Sequence, residues 1–167
     1  LSYNSSLDAI ALLRENLDKI HWIQLSYNPN TEAIALLREN PDKINWTYLS
    51  LNPNTEAIAL LRENPDKINW NYLSSNQHAE SISLLKENID KINWNRLSLN
   101  DNAIELLREN PDKIYWEGLS NNPNAIQLLK ENQDKINWNM LSSNQNLEAI
   151  ELLHLFSFKT PIIDAKK

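Results

Sequence analysis

The sequence predicts an all-α fold, a right-handed α-solenoid of stacked short helix-turn-helix repeats, and three observations carry that expectation. Tryptophan recurs at Trp22, Trp46, Trp70, Trp94, Trp116 and Trp138, with spacings of 24, 24, 24, 22 and 22 residues. A period of this size marks a repeat architecture, to be recognised before any local motif is read. Cutting at the recurrent Leu-Ser gives units that begin at Leu1, Leu25, Leu49, Leu73, Leu97, Leu119 and Leu141, and the units from Leu25 and Leu49 agree at 22 of 24 positions. Finally, stretches such as Glu32 to Asn40 consist largely of good helix formers, while valine, a strand former, is absent from the chain.

The elements of one unit follow in order. Two residues are missing from the shorter units between Asn100 or Asn122 and the Ala-Ile pair that follows. Inside a helix such a loss would turn everything beyond it by roughly 200°, so it is assigned to a loop. The first helix then begins at Asn30 or Thr31 as cap, with Glu32 in the first turn where the helix dipole favours an anion. In the sixth unit Asn122 and Pro123 read as cap and first helical residue. Ala33, Ile34, Leu36 and Leu37 form one apolar stripe. Asn40-Pro41 ends the helix, because proline removes the next donor and pushes its predecessor out of helical geometry.

Asp42 is read as opening a second helix, its carboxylate accepting from the amides of Lys43 to Asn45. The preceding residue (Leu17, Pro41, Pro65, Ile89, Pro111) is then placed to pack on the tryptophan as a hydrophobic staple. Trp46 and Leu49 share one face of this helix, Ile44 and Tyr48 lie nearer the other. The repeat array is assigned to 1–153. His154 to Lys167 departs from the pattern and is read as an atypical C-terminal cap or tail, in which Phe156 and Phe158 seal the core. A single unit cannot bury enough surface to fold alone, so neighbours must stack. The alternative of the same period, a leucine-rich-repeat-like solenoid, needs L-x-x-L-x-L-x-x-N, whereas this chain reads I-x-W-x-x-L-x-x-N.

The recurring N-P-x-A-I-x-L-L-x-E-N-P-D-K-I-N-W-x-x-L-S pattern, from Leu1 to about Leu153, resembles short repeats encoded in families of large DNA viruses, such as those infecting amoebae and algae. The resemblance implies an α-helical repeat protein of undefined function, a viral protein with no catalytic residues to carry over.

Composition narrows the function. A formal net charge of -6 and a pI near 5.1 argue against a nucleic-acid backbone as main partner. With no cysteine there is no disulfide framework, thiolate nucleophile or cysteine-bound metal. Apolar runs fall far short of the roughly 20 residues that cross a bilayer, and no signal-peptide pattern opens the chain. The expected location is therefore intracellular, in the cytoplasm of a host cell or in a virion, without membrane contact. Leu1 stands in mid-pattern, so the segment is read as part of a longer protein. His21, His78 and His154 occupy three different places in the repeat frame and lack metal-ligand spacing. The carboxylates recur alike in every unit, which suits capping and solvation better than a catalytic pair. The single glycine, Gly118, rules out a phosphate-cradling glycine loop. No cofactor, metal, small-molecule substrate or enzymatic activity is expected.

The tryptophans are read as core rather than as a stacking ladder for bases. Asn40, Asn64, Asn88 and Asn110 are read as bonding backbone in the tight turn, in register along one edge. Function is expected where the units differ: in the two residues after each tryptophan, and two after the leucine of Leu-Ser. The candidate protein-binding surface is Tyr27, Thr47, Tyr48, Asn71, Tyr72, Asn95, Arg96, Glu117 and Met140, on a scaffold that keeps its core and varies its face. The rival expectations are a structural or spacer role, in a virion or between domains, and binding of single-stranded nucleic acid.

Overall fold

The computed structural model describes residues 7–157, and every regular element in them is helical. The helices are α1 (Leu7–Arg14), α2 (Trp22–Tyr27), α3 (Thr31–Glu39), α4 (Trp46–Leu49), α5 (Thr55–Glu63), α6 (Trp70–Leu73), α7 (Ala79–Lys86), α8 (Trp94–Leu97), α9 (Ile104–Arg108), α10 (Trp116–Asn121), α11 (Ile126–Glu131), α12 (Trp138–Leu141) and α13 (Leu147–Ser157). The absence of strands among the described residues sets the leucine-rich alternative aside. The chain divides into two compact parts between Asn93 and Trp94. In the first, α1 packs on α3, α3 on α5, α5 on α7 and α2 on α4. In the second, α10 packs on α12 and α11 on α13. Within each part, then, a repeat touches its neighbours in sequence, as in a helical repeat solenoid.

The first helix of each repeat forms as its residues dictate. Asn30 Oδ1 accepts from the Glu32 amide at 2.8 Å and Asn54 Oδ1 from that of Glu56 at 2.7 Å, which caps α3 and α5. Ala33, Ile34, Leu36 and Leu37 are all fully buried. Asn40 stops the helix, and its Nδ2 donates back to the Leu36 carbonyl at 2.9 Å. The same bond recurs from Asn16, Asn64, Asn88, Asn110 and Asn132. These asparagines therefore satisfy carbonyls at the end of their own helix; the ladder between repeats is built elsewhere.

The second half of the repeat differs from the expectation. Pro41–Lys43 is a separate 3-10 turn, Ile44 is extended and buried, and the helix proper is only Trp46–Leu49. Asp42 caps nothing: its turn has no side-chain cap, and its carboxylate pairs with Lys43 at 3.0 Å. The cap is Asn45, whose Oδ1 accepts from the Tyr48 amide at 3.1 Å. With the helix start moved by three residues the staple geometry is lost, and Leu17, Pro41 and Ile89 are exposed. Burial of Ile44 explains the break, since an extended residue between turn and helix lets its side chain point inward.

The shorter repeats hold a second correction. Asn122 closes α10, and α11 begins at Ile126 after Ala125, so Asn122 and Pro123 are not the cap and first residue of that helix. The two missing residues come from the loop together with the opening turn: α9 and α11 have 5 and 6 residues where α3 and α5 have 9. Everything after the deletion keeps its frame, and Leu106 and Leu107 are buried like Leu36 and Leu37. At the end of the array α13 runs on through His154 to Ser157, past the assigned boundary at 153, because no Asn-Pro stops it. The proposed seal by Phe156 and Phe158 lies outside the described side chains.

Within each compact part, ion pairs cross between neighbouring repeats on the exposed side of the first helices. Arg38 reaches Glu63 at 2.6 Å and Glu56 at 3.9 Å, and Arg14 reaches Glu39 at 3.2 Å. Arg62 pairs with Glu87 and Arg108 with Glu131. The hydrogen bond from Arg38 holds Glu63 below its ordinary value, and hydrogen bonds from Gln127 and Arg108 do the same for Glu131. A carboxylate depressed in the folded state stabilises above its unfolded value of about 4.3, and that contribution is lost as pH falls through the folded value. Thermal melts are expected to shift downward below about pH 4.3, by a modest amount because the pairs are exposed and screened. A melting temperature that rose on acidification would contradict this.

Candidate protein-binding surface

The framework bonds decide which side chains are left for a partner. Within each compact part, Leu-Ser-x-Asn segments at the ends of second helices join neighbouring repeats. Ser26 Oγ donates to the Trp22 carbonyl at 2.8 Å and accepts the Asn45 amide of the following repeat at 2.9 Å. Ser50, Ser74, Ser98 and Ser120 take the amides of Asn69, Asn93, Tyr115 and Asn137 in the same way. The asparagine two positions on is buried and points the other way. Asn52 Nδ2 donates to the Ser26 and Asn28 carbonyls of the preceding repeat, both at 2.9 Å, and its Oδ1 takes the Asn54 amide at 3.0 Å. Asn76, Asn122 and Asn144 repeat the double contact. No described buried side-chain polar atom lacks a partner.

The expected surface residues occupy two positions of the repeat frame. Thr47 and Tyr48 in α4, Asn71 and Tyr72 in α6, Asn95 and Arg96 in α8, Glu117 in α10 and Met140 in α12 all sit in the first turn of a second helix. Tyr27 lies at the far end of α2, in the place held in later repeats by Leu51, Ser75, Leu99, Asn121 and Ser143. In the second compact part that other position lines a shallow depression of about 240 Å³ with Asp101, Pro123 and Gln145.

At the start of the second helices the two residues after tryptophan differ in what the fold asks of them. The residue directly after tryptophan is drawn into stacking: Asn93 Nδ2 donates to Asn71 Oδ1 at 2.7 Å and Asn69 Nδ2 to Thr47 Oγ1 at 3.4 Å. The next position carries the bulkier side chains and is on the whole no more exposed, since Asn71, Glu117 and Asn139 are exposed where Tyr72 and Met140 are half-buried and Gly118 is buried. Tyr48 is 43% exposed, Arg96 is exposed, and Tyr72 and Met140 are half-buried. At Gly118 this side chain is absent because the ring of Tyr115 occupies its place. A Cβ there would stand 2.8 Å from Tyr115 Cδ1 and 3.3 Å from Leu99 Cδ2. Tyr115 also hydrogen-bonds the Glu117 carboxylate, which pushes its hydroxyl above the ordinary value. Tyr115 thus belongs to the surface, and sequence reasoning missed it; the signal was a tyrosine replacing the capping asparagine in the one repeat that carries a glycine.

All six tryptophans are half-buried rather than sealed in the core. The fully buried anchors of the second helices are instead Leu25, Leu49, Leu73, Leu97, Leu119 and Leu141. His21 and His78 serve as helix caps, accepting the Gln24 and Glu80 amides. Among the described residues no three of His, Asp and Glu converge on a point where a metal ion could sit. No helix among them is long and apolar enough to cross a membrane. Comparison with family models, with curated proteins and with solved structures finds no match to this chain.

Proposed function

We propose that the chain is a non-enzymatic scaffold that binds another protein through side chains at the starts of its second helices, Tyr48 and Tyr72 in the first compact part and Arg96 and Tyr115 in the second. One observation carries this reading. The recurring Leu-Ser-x-Asn positions are taken up by bonds between repeats, while the position two after tryptophan varies and, apart from Gly118, holds larger side chains, among them Tyr48, Tyr72, Arg96 and Met140, of types enriched at interfaces. Such positions let the same framework present a different face by exchanging a few side chains. The intracellular location and the viral origin suggested by the resemblance belong to this proposal, and they make an infected cell the first source in which to seek the partner.

The test is affinity capture with the full chain beside its Tyr48→Ala/Tyr72→Ala/Arg96→Ala variant, followed by purification of the captured protein and direct titration. The variant is expected to melt within a few degrees of the parent and to bind at least about 30-fold more weakly, as loss of one or more anchors implies. Equal affinities would remove the assigned face. Salt-dependent binding of the parent to RNA or single-stranded DNA pools, unaffected by these substitutions, would favour nucleic acid instead.

A further inference from the structure

The shallow depression of the second compact part lies where three successive repeats bring two frame positions together. Leu99, Asn121 and Ser143 stand two after the leucine of Leu-Ser, and Asp101, Pro123 and Gln145 directly follow the recurrent asparagine. In the first part the same positions hold Tyr27, Leu51 and Ser75, and Pro29, Pro53 and Gln77. Four of those six are apolar, aromatic or rigid, and Ser75 and Gln77 have partners within the chain. The second part carries four polar side chains in these places, one of them a carboxylate.

These polar groups are not part of the framework. Asn122 and Asn144 are committed to carbonyls of the preceding repeat, and what the frame takes from Asp101 is its main-chain carbonyl, which accepts from Asn124 Nδ2 at 2.9 Å. Among the described residues, the side chains of Asp101, Asn121, Ser143 and Gln145 have no hydrogen-bonding or ionic partner. By contrast Asp112 pairs with Lys113 at 3.3 Å and Glu148 with Lys130 at 2.5 Å. Asp101 thus places a charge where Pro29, Pro53 and Pro123 stand in other repeats, and no bond inside the fold accounts for it.

We infer that this depression binds an arginine side chain of a peptide ligand. Asp101 supplies the countercharge, and Asn121, Ser143 and Gln145 supply neutral oxygen acceptors. A guanidinium, with five donors in one plane, suits such a set better than the three clustered donors of an ammonium. A volume of about 240 Å³ falls below the roughly 300 to 1,000 Å³ of pockets that enclose drug-sized ligands, so it takes one side chain and leaves the rest of the ligand outside. Leu99 is 50% exposed at the margin. Its Cδ2 and the ring of Tyr115 both come within 3.3 Å of the point where a Cβ on Gly118 would stand, and this edge suits an apolar residue next to the arginine. The inference does not rest on the reading above, since none of the four polar residues belongs to that surface.

Titration of the nitrogen-15-labelled full chain with the peptide acetyl-Leu-Arg-Leu-amide, followed by NMR, tests this beside peptides carrying citrulline or lysine in place of arginine. Citrulline keeps the shape of the side chain and removes its charge. The arginine peptide is expected to shift the side-chain amide signals of Asn121 and Gln145 and the main-chain signal of Gly118 saturably, and to bind about 10-fold more tightly than the citrulline peptide. Asp101→Asn is expected to weaken binding by about the same factor, while Asp112→Asn, an equal loss of charge at a site already paired with Lys113, leaves it unchanged. Ser143→Tyr installs the residue that Tyr27 carries in this place and is expected to abolish the saturable shifts by filling the depression; a thermal melt establishes that each variant is folded. Absence of saturable shifts at these signals in the parent would overturn the inference. So would equal binding of the arginine peptide and either comparison peptide, or equal losses from Asp101→Asn and Asp112→Asn.

Discussion

Replacing Asn52 by leucine is expected to destabilise the protein by about 3 to 6 kcal/mol, because it removes three hydrogen bonds from a buried site and leaves their partners without a replacement. The Ser26 and Asn28 carbonyls lose their shared donor, and the Asn54 amide loses its acceptor. Water cannot readily substitute, since Asn52 and its neighbour Ser50 are fully buried. Two of the three bonds join adjacent repeats, so the loss falls on the coupling between them as well as on one repeat. Urea denaturation followed by tryptophan fluorescence should show a lower midpoint and a broader transition. Asn40→Ala is the control: its amide bonds only the Leu36 carbonyl of its own helix, and about 1 kcal/mol is expected. Equal losses at the two asparagines would contradict the assignment of Asn52 to the joint.

Leu36→Ala is expected to cost about 2 to 5 kcal/mol, the range for deleting a buried leucine side chain when the surroundings relax only in part. The same substitution at Leu12 is expected to cost about 0.5 kcal/mol, as at exposed positions generally. The two leucines hold the same place in neighbouring repeats, in first helices of the same character, and differ in burial, 0% exposed at Leu36 against 47% at Leu12. Paired urea titrations at low protein concentration thus measure what a neighbour contributes, with helix propensity held nearly constant. Similar costs at both sites would mean that stability resides in single repeats.

The first helices were legible in the sequence because their determinants are local. Asn30, Glu32, the Ala33 to Leu37 stripe and Asn40-Pro41 act within a turn or two of one another, and α3 runs between them as expected. The second half of the repeat was misread where two residues competed for one role. Asp42 and Asn45 are both competent caps, and the choice fell to Asn45 because its own amide is held by Ser26 of the preceding repeat, 19 residues earlier. Ser26 and Asn52 show the limit more plainly. Leu-Ser-x-Asn recurs in every unit and served to delimit them, but its carbonyl partners lie a whole repeat away, and no local pattern states which groups a repeat will offer upward and which downward. At the candidate surface, side-chain type singled out Tyr48 and Arg96, and both are exposed. The ties of Thr47 and Asn71 to the next repeat, and the exchange of Tyr115 for a side chain at Gly118, depend on distances that composition does not carry.

The uniform joint also bears on heredity. Within each compact part, a repeat hands its successor a serine hydroxyl and two carbonyls, and greets its predecessor with an amide and an asparagine side chain. Recombination between near-identical tracts, such as those encoding the 22 of 24 matching positions from Leu25 and Leu49, inserts or removes a whole number of repeats and leaves every junction chemically unchanged. A crossover out of phase breaks the serine and asparagine contacts at the seam. Array length can therefore drift in a lineage without compensating substitutions, while the phase of the repeat stays fixed.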